Sequence, residues 1–248
     1  MGKKIYLAVI YIITLICVTI GVLGNNFNIA PFNAMTFGSA GKKVEYTKKF
    51  DSVSNIDIDL AVADVEIVKG TEFSVTYKGR EKLSPSIEME GSIIKISQND
   101  SINIIGLRDV DGKLIVTVPD NDSSCNLLLK ANVGDISIDD VNLNKIAAEV
   151  DMGNFEVNNA SFKDGEIDVN MGNAEVNNCT FNNINASVDM GNAEVKIKGS
   201  KEYNLNLSVD LGTIGVNGTN YSGSYNNNAS TSNKISIDVD MGNISVSQ

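Results

Sequence analysis

An all-β solenoid is the fold class the sequence predicts, on three observations: a short phrase repeated at near-constant spacing, apolar and polar residues alternating around it, and apolar columns when the units are overlaid. The phrase is Asp151-Met152-Gly153-Asn154. It returns as Asn170-Met171-Gly172-Asn173, Asp189-Met190-Gly191-Asn192, Asp210-Leu211-Gly212-Thr213 and Asp240-Met241-Gly242-Asn243, after a degenerate copy at Asn132-Val133-Gly134-Asp135. From glycine to glycine the steps are 19, 19, 19, 21 and 30 residues, and a period of about 20 indicates stacked coils.

Within a unit, Ile167, Val169 and Met171 share one face before the glycine, and Ala174 and Val176 follow it. Period-two alternation marks strands, so each unit reads as two short strands joined at a Gly-Asn bend, where both residue types tolerate positive φ. Overlaid, Val150, Val169, Val188, Val209 and Val239 form one column; Met152, Met171, Met190, Leu211 and Met241 form a second; Val157, Val176, Val195, Val216 and Val246 form a third. A connecting arm adds Val141, Ala160 and Cys179, then Leu143, Phe162 and Phe181. Coils stacked about 4.8 Å apart bury such columns as one core, and the methionine column is expected to line it. The architecture is a parallel β-helix or a close relative.

Taken in order, the chain opens with Lys3 and Lys4 before an uncharged apolar run from Ile5 to Leu23. That run is long enough to span a bilayer as one N-terminal transmembrane helix, and the preceding lysines place the rest of the chain outside. The competing reading is a signal peptide cut near Asn25, with Val22 and Gly24 as the small residues before the cut. Residues 25–43 read as a linker. Residues 44–130 read as an irregular N-terminal β layer: Val44 to Phe50, Asn55 to Val68, Phe73 to Tyr77, Ile87 to Met89, Ile93 to Ser97 and Leu114 to Val118 are short strands. Lys78-Gly79-Arg80 is read as a turn and Pro119 as a stop. Ala63-Asp64-Val65-Glu66-Ile67 resembles the Gly-Asn-Ala-Glu-Val of the later units and marks a worn coil of the same ladder. Residues 131–248 hold the regular repeats, interrupted by an Asn-, Gly- and Ser-rich stretch from Asn217 to Asn233. No convincing helical period follows residue 24.

The chain carries a formal charge of −11 and no histidine or tryptophan. From residue 131 onward 6 lysines face 16 acidic residues, so −10 of that charge lies in the repeats. Nucleic acid and anionic lipid headgroups are poor partners for such a surface. Of the three cysteines, Cys17 lies in the apolar run, and Cys125 and Cys179 read as buried thiols, with a disulfide between them as the alternative.

The Val-Asp-Met-Gly-Asn-Ala-Glu-Val unit, as in Val188 to Val195, together with Asp57-Ile58-Asp59-Leu60 and Leu114-Ile115-Val116-Thr117-Val118-Pro119, resembles a bacterial β-strand-repeat domain family of unknown function that carries the label putative adhesin. The match covers roughly residues 44 to 248. It implies a right-handed β-helix-like solenoid at the cell envelope, in some relatives linked to envelope-stress membrane proteins. It brings no catalytic residues and no cofactor.

The outward positions are where chemistry would reside. Asp151, Asn170, Asp189, Asp210 and Asp240 form one column, with Glu149, Asp168 and Asp238 two positions earlier; Glu156, Glu175 and Glu194 form another. Either solvent and the interposed asparagine relieve the repulsion, or a cation such as calcium bridges Asp151, Asp189, Asp210 and Asp240. The Gly-Gly-x-Gly-x-Asp spacing of calcium-binding rolls is absent. Asn154, Asn173, Asn192 and Asn243 read as an internal amide ladder, with sugar recognition as the alternative. A polysaccharide-acting β-helix enzyme needs converging carboxylates, whereas these recur as columns, so a non-enzyme is expected. Tyr221 and Tyr225 in the 217–233 insertion are candidate ligand contacts. Ile244 and Val246 are candidate contacts for self-association or partner capture at an open C-terminal coil. The expected role is a membrane-anchored, extracytoplasmic binding or scaffolding protein of the bacterial envelope that meets an envelope protein or wall polymer. The alternative is a non-catalytic accessory or sensor subunit.

Overall fold

A computed structural model describes residues 42–98, 112–120 and 124–248. The expected membrane segment, Cys17 and nearly all of the linker lie outside the described residues. Within them no helix is long and apolar enough to cross a membrane. The described residues form nineteen strands in order: β1 (Lys43–Phe50), β2 (Asn55–Val62), β3 (Asp64–Gly70), β4 (Phe73–Arg80), β5 (Ser86–Glu90), β6 (Ile93–Ser97), β7 (Gly112–Pro119), β8 (Asn126–Val133), β9 (Ile136–Asp139), β10 (Lys145–Met152), β11 (Phe155–Asn158), β12 (Asp164–Met171), β13 (Ala174–Cys179), β14 (Asn183–Met190), β15 (Ala193–Ile197), β16 (Asn204–Val216), β17 (Thr219–Tyr221), β18 (Ser224–Asn226) and β19 (Lys234–Ser247). Lys78-Gly79-Arg80 continues β4 instead of turning, because β1 and β7 pair with that segment on either side.

The repeats stack in parallel and in register. Val150 pairs with Val169, and Val169 with Val188; on the next side Val157 pairs with Val176, and Val176 with Val195. A third, short side is joined by single bridges, Asn142 to Ser161 and Ser161 to Thr180. The inward valines are buried, as are Val141, Ala160 and Cys179 and the aromatic column below them. There Phe162 stacks on Phe181 at 5.5 Å, and Phe181 meets Tyr203 at 4.9 Å. The Asn55–Gly70 segment is indeed a coil of this ladder: β2 pairs in parallel with β8, and β3 with β9.

Two different devices turn the chain. At the first corner only the glycine has positive φ, as at Gly172 with φ 150°. A Cβ there would lie 1.8 Å from the Gly153 carbonyl oxygen, so the coils approach as closely as backbones can. At the second corner Asp140, Asn159 and Asn178 adopt the left-handed region with φ 57°, 53° and 56°, a conformation that short polar side chains support through local hydrogen bonds. Apart from Asn217 and Asn228 in the insertion, the positive-φ asparagines are therefore at the second corner and not beside the repeat glycine.

Spatial order departs from chain order at both ends. β19 lies between the β14/β15 coil and β16, pairing in parallel with β14 and β15 on one side and with β16 on the other. Ile244 and Val246 are consequently 1% and 2% exposed. They are core residues of an inner coil and not an open edge. The outermost coil, β16, is covered instead by β17 and β18, both antiparallel to it, so much of the 217–233 insertion serves as a lid on the stack. At the other end β6 and β7 pair outside β2 and β3, and antiparallel β5 and β4 cover them in turn, with β1 beyond β4. Gln98, which is buried, completes this end: its Nε2 donates to the carbonyls of Val62 and Leu83 at 3.1 and 2.6 Å, and its Oε1 accepts from the Val62 amide.

The glycine corner gives a direct test. Gly172→Ala is expected to lower stability by about 3 kcal/mol or more, because it adds a backbone clash to an unfavourable φ. Urea unfolding of variant and parent measures it, and an unchanged midpoint would contradict the close approach.

Candidate functional site

The corner that the glycines make is also where the outward-facing columns gather. Here the structure corrects one expectation: the methionines do not line the core. Met152, Met171, Met190 and Met241 are 48, 39, 44 and 48% exposed, and Leu211 is 67% exposed. The physical reason lies in the turn. Alternation carries Val150 inward, and the next inward residue is Phe155 beyond the bend, so both Asp151 and Met152 remain outside. In space the column runs Met152, Met171, Met190, Met241, Leu211 through four successive parallel pairings. At about 4.8 Å per step it forms an apolar ridge roughly 19 Å long.

One flank of the ridge is an amide ladder. Asn173 directs its backbone amide and Nδ2 to Oδ1 of Asn154, at 3.1 and 3.2 Å. Asn192 repeats both bonds to Asn173, and Asn243 repeats them to Asn192. Acids supply the acceptor at the start: Asp64 Oδ1 accepts from the Asp135 amide, and Asp135 Oδ1 accepts from Asn154. Thr213 ends the series by donating its amide to Asn243. The side chains are committed to the corner, although each Nδ2 carries a second N–H that the ladder leaves over.

The other flank is the acidic column, in spatial order Asp151, Asn170, Asp189, Asp240, Asp210. Asn170 relieves its first member by donating to Asp151 Oδ1 at 2.9 Å. Lysines neutralise acids elsewhere on the coils, as in Lys130–Glu149 at 2.6 Å, Lys145–Glu166 at 3.1 Å and Lys196–Glu194 at 2.8 Å. Among the described residues, none of Asp151, Asp189, Asp210 and Asp240 has a salt bridge. Nor does any group of three acidic, cysteine or histidine side chains among them gather closely enough to hold a metal ion. The four aspartates are a column of single carboxylates, one per coil.

Tyr221 and Tyr225 meet at 4.4 Å between ring centroids. Tyr225 packs against the core and, with Tyr203, Leu205, Val216 and Val246, lines a cleft of about 410 Å³ under the lid. Two of its amides are tied to the backbone: Asn227 Oδ1 accepts from the Leu205 amide and its Nδ2 donates to the Tyr203 carbonyl, while Gln248 Nε2 donates to the Gly199 and Lys201 carbonyls. Cys125 and Cys179 are buried thiols with no disulfide between them. Burial pushes the Cys179 thiol up to about 11, which makes it unreactive.

Asp168, outward on β12, has its carboxyl raised above the ordinary 3.8, first by desolvation and then by the charges of Asp189, Glu149 and Asp151. Between 3.8 and the raised native value the folded chain holds a proton that the unfolded chain has released. Stability therefore rises as pH falls through that window and is lowest above it. Asp168→Asn is expected to stabilise the fold at neutral pH by up to ~0.5 kcal/mol after solvent screening, with no gain at pH values below the window. Thermal unfolding at both pH values checks this, and a neutral-pH loss would contradict it.

The fold has a solved counterpart. A putative cell adhesion protein from Clostridium sporogenes is similar with a TM-score of 0.59 and 17% identity, covering 84% of this chain and 100% of that one. A putative adhesin from Bacteroides fragilis gives 0.45 and 14%, covering 83% and 97%. A putative lipid binding protein from Parabacteroides distasonis gives 0.33 and 13%, with the same coverage of 83% and 97%. No curated protein sequence matches the chain. The family model described as Toastrack DUF4097 matches residues 123–247, which span the coils from β8 to β19 and carry the ridge, the ladder and the acidic column. The chain belongs to the Toastrack DUF4097 family.

Proposed function

We propose that this chain is a non-catalytic binding scaffold of the bacterial envelope. It is held to the membrane by its N-terminal apolar run and presents a right-handed β-solenoid outside the cell. The observation that carries the binding role is the exposed Met152–Leu211 ridge. A contiguous apolar strip on an otherwise charged surface marks an interaction site, and methionine adapts to varied partner shapes. Both ends of the stack are covered, and among the described residues the ridge is the one continuous row of exposed large apolar side chains on successive coils, Leu128 and Tyr221 being exposed singly. Regular spacing of the carboxylates argues against glycoside chemistry, which needs two of them facing across one bond. The adhesion label of the Clostridium sporogenes protein agrees with surface presentation. The accessory-subunit reading uses the same ridge for a membrane protein in place of a wall polymer.

Capture from intact envelopes by the full-length tagged chain separates these. The parent is expected to retain an envelope component that the Met171→Gln, Met190→Gln double variant loses, while both unfold at similar temperatures because the side chains are exposed. Loss of that component on chelation identifies a cation-bridged wall polymer, and indifference to chelation identifies a membrane protein. Equal retention by parent and double variant would overturn the binding role of the ridge.

A further inference from the structure

The ridge has two unlike flanks, and this asymmetry specifies what it binds. Along each of five coils the surface reads, in chain order, acid or asparagine, apolar residue, glycine, then amide or threonine, as in Asp189, Met190, Gly191 and Asn192. The carboxylates of Asp189, Asp240 and Asp210 adjoin one another on successive coils. They have no salt bridge among the described residues, unlike the lysine-matched acids Glu149, Glu166 and Glu194. A row of unneutralised carboxylates beside an exposed apolar row is unfavourable in isolation. A partner that brings positive charge to one side and apolar surface to the other satisfies both.

We infer that the ridge docks a basic amphipathic helix of a partner protein, lying along the stack with its lysine or arginine side over the aspartate column. This deepens the binding role proposed above and rests on it. Geometry supports a helix: its 5.4 Å pitch is close to the coil spacing of about 4.8 Å, so apolar residues at i, i+3 or i+4, and i+7 fall near successive methionines. About 13 residues at 1.5 Å each cover the roughly 19 Å ridge. The leftover amide hydrogens of the asparagine ladder suit uncharged or acidic residues on the helix's far side. A second copy of this chain is disfavoured. A two-fold axis across the stack sets the aspartate columns against each other, and one along it still brings together two repeat regions that each carry most of a −11 charge. Anionic lipid is repelled for the same reason.

The test uses the full-length chain in nanodiscs of zwitterionic lipid, with empty nanodiscs as the blank, and a labelled 14-residue peptide. The peptide has leucine at i, i+3, i+4 and i+7 and lysine along one side. Fluorescence anisotropy is expected to give saturable binding, on the order of 10 μM, that weakens as salt rises. Met171→Gln with Met190→Gln is expected to weaken it by about tenfold, and Asp189→Asn with Asp240→Asn by several-fold while flattening the salt dependence. A scrambled peptide of the same composition and a glutamate-for-lysine peptide should show no saturable binding. Equal binding of the glutamate peptide, or no effect of the methionine variant, overturns the inference. If ridge-dependent envelope capture persists while the basic peptide fails to bind, the partner class is wrong and the binding role stands. Dimers in sedimentation that the methionine variant abolishes would assign the ridge to a second copy and likewise overturn the inference.

Discussion

The close approach of successive backbones at the glycine corner is the constraint on which the rest of the structure depends. A Cβ at Gly153, Gly172, Gly191, Gly242 or Gly212 would sit between 1.5 and 2.0 Å from a carbonyl oxygen of the adjoining coil. Without a side chain, Gly172 and Gly191 donate their amides to Met190 and Met241 carbonyls, each at 3.0 Å, and the coils stay in register through the bend. That register places asparagine above asparagine, so one side-chain oxygen can accept both the amide and the Nδ2 of the next coil. It also forces the residue before each glycine outward. The methionine ridge is thus a by-product of the tightest contact in the fold.

The ends follow from a second constraint, that an exposed solenoid edge invites pairing with other chains. Both ends are closed by antiparallel strands, and at both the outermost coil is out of chain order. β19, nearest the C-terminus, is hydrogen-bonded on both sides, so β16 has no parallel partner until β19 is in place. Such long-range closure is slow compared with pairing of neighbouring coils. It makes the chain's last 15 residues, Lys234 to Gln248, a structural keystone instead of a free tail. Among the described residues, the continuous apolar row left for partners is the ridge on the side of the stack.

Much of this was legible in the sequence because solenoid coils write their core as columns. The valine, phenylalanine and cysteine columns and the amide ladder were readable from spacing, and the worn coil within Asn55–Val68 from the likeness of Ala63–Ile67 to the later units. The methionine column was misread because an apolar residue in register looks identical whether it faces in or out; only the five-residue interval between the inward Val150 and Phe155 separates the two. The insertion of β19 was invisible for a different reason: identical coils share the same pairing preferences, so sequence similarity cannot order them in space. Nor did any pattern mark Gln98, whose side chain replaces a missing strand at one point, or distinguish Asn178, which turns the chain, from Asn173, which only braces it.

The functional account reduces to whether the ridge faces solvent in the folded chain. Peroxide oxidation of the native protein, followed residue by residue by mass spectrometry, asks this directly, because methionine oxidises according to its exposure. Met152, Met171, Met190 and Met241 are expected to convert to sulfoxide at rates near that of a free methionine peptide, with the fold intact. Protection of all four until the chain is unfolded would place them in the core and contradict the account.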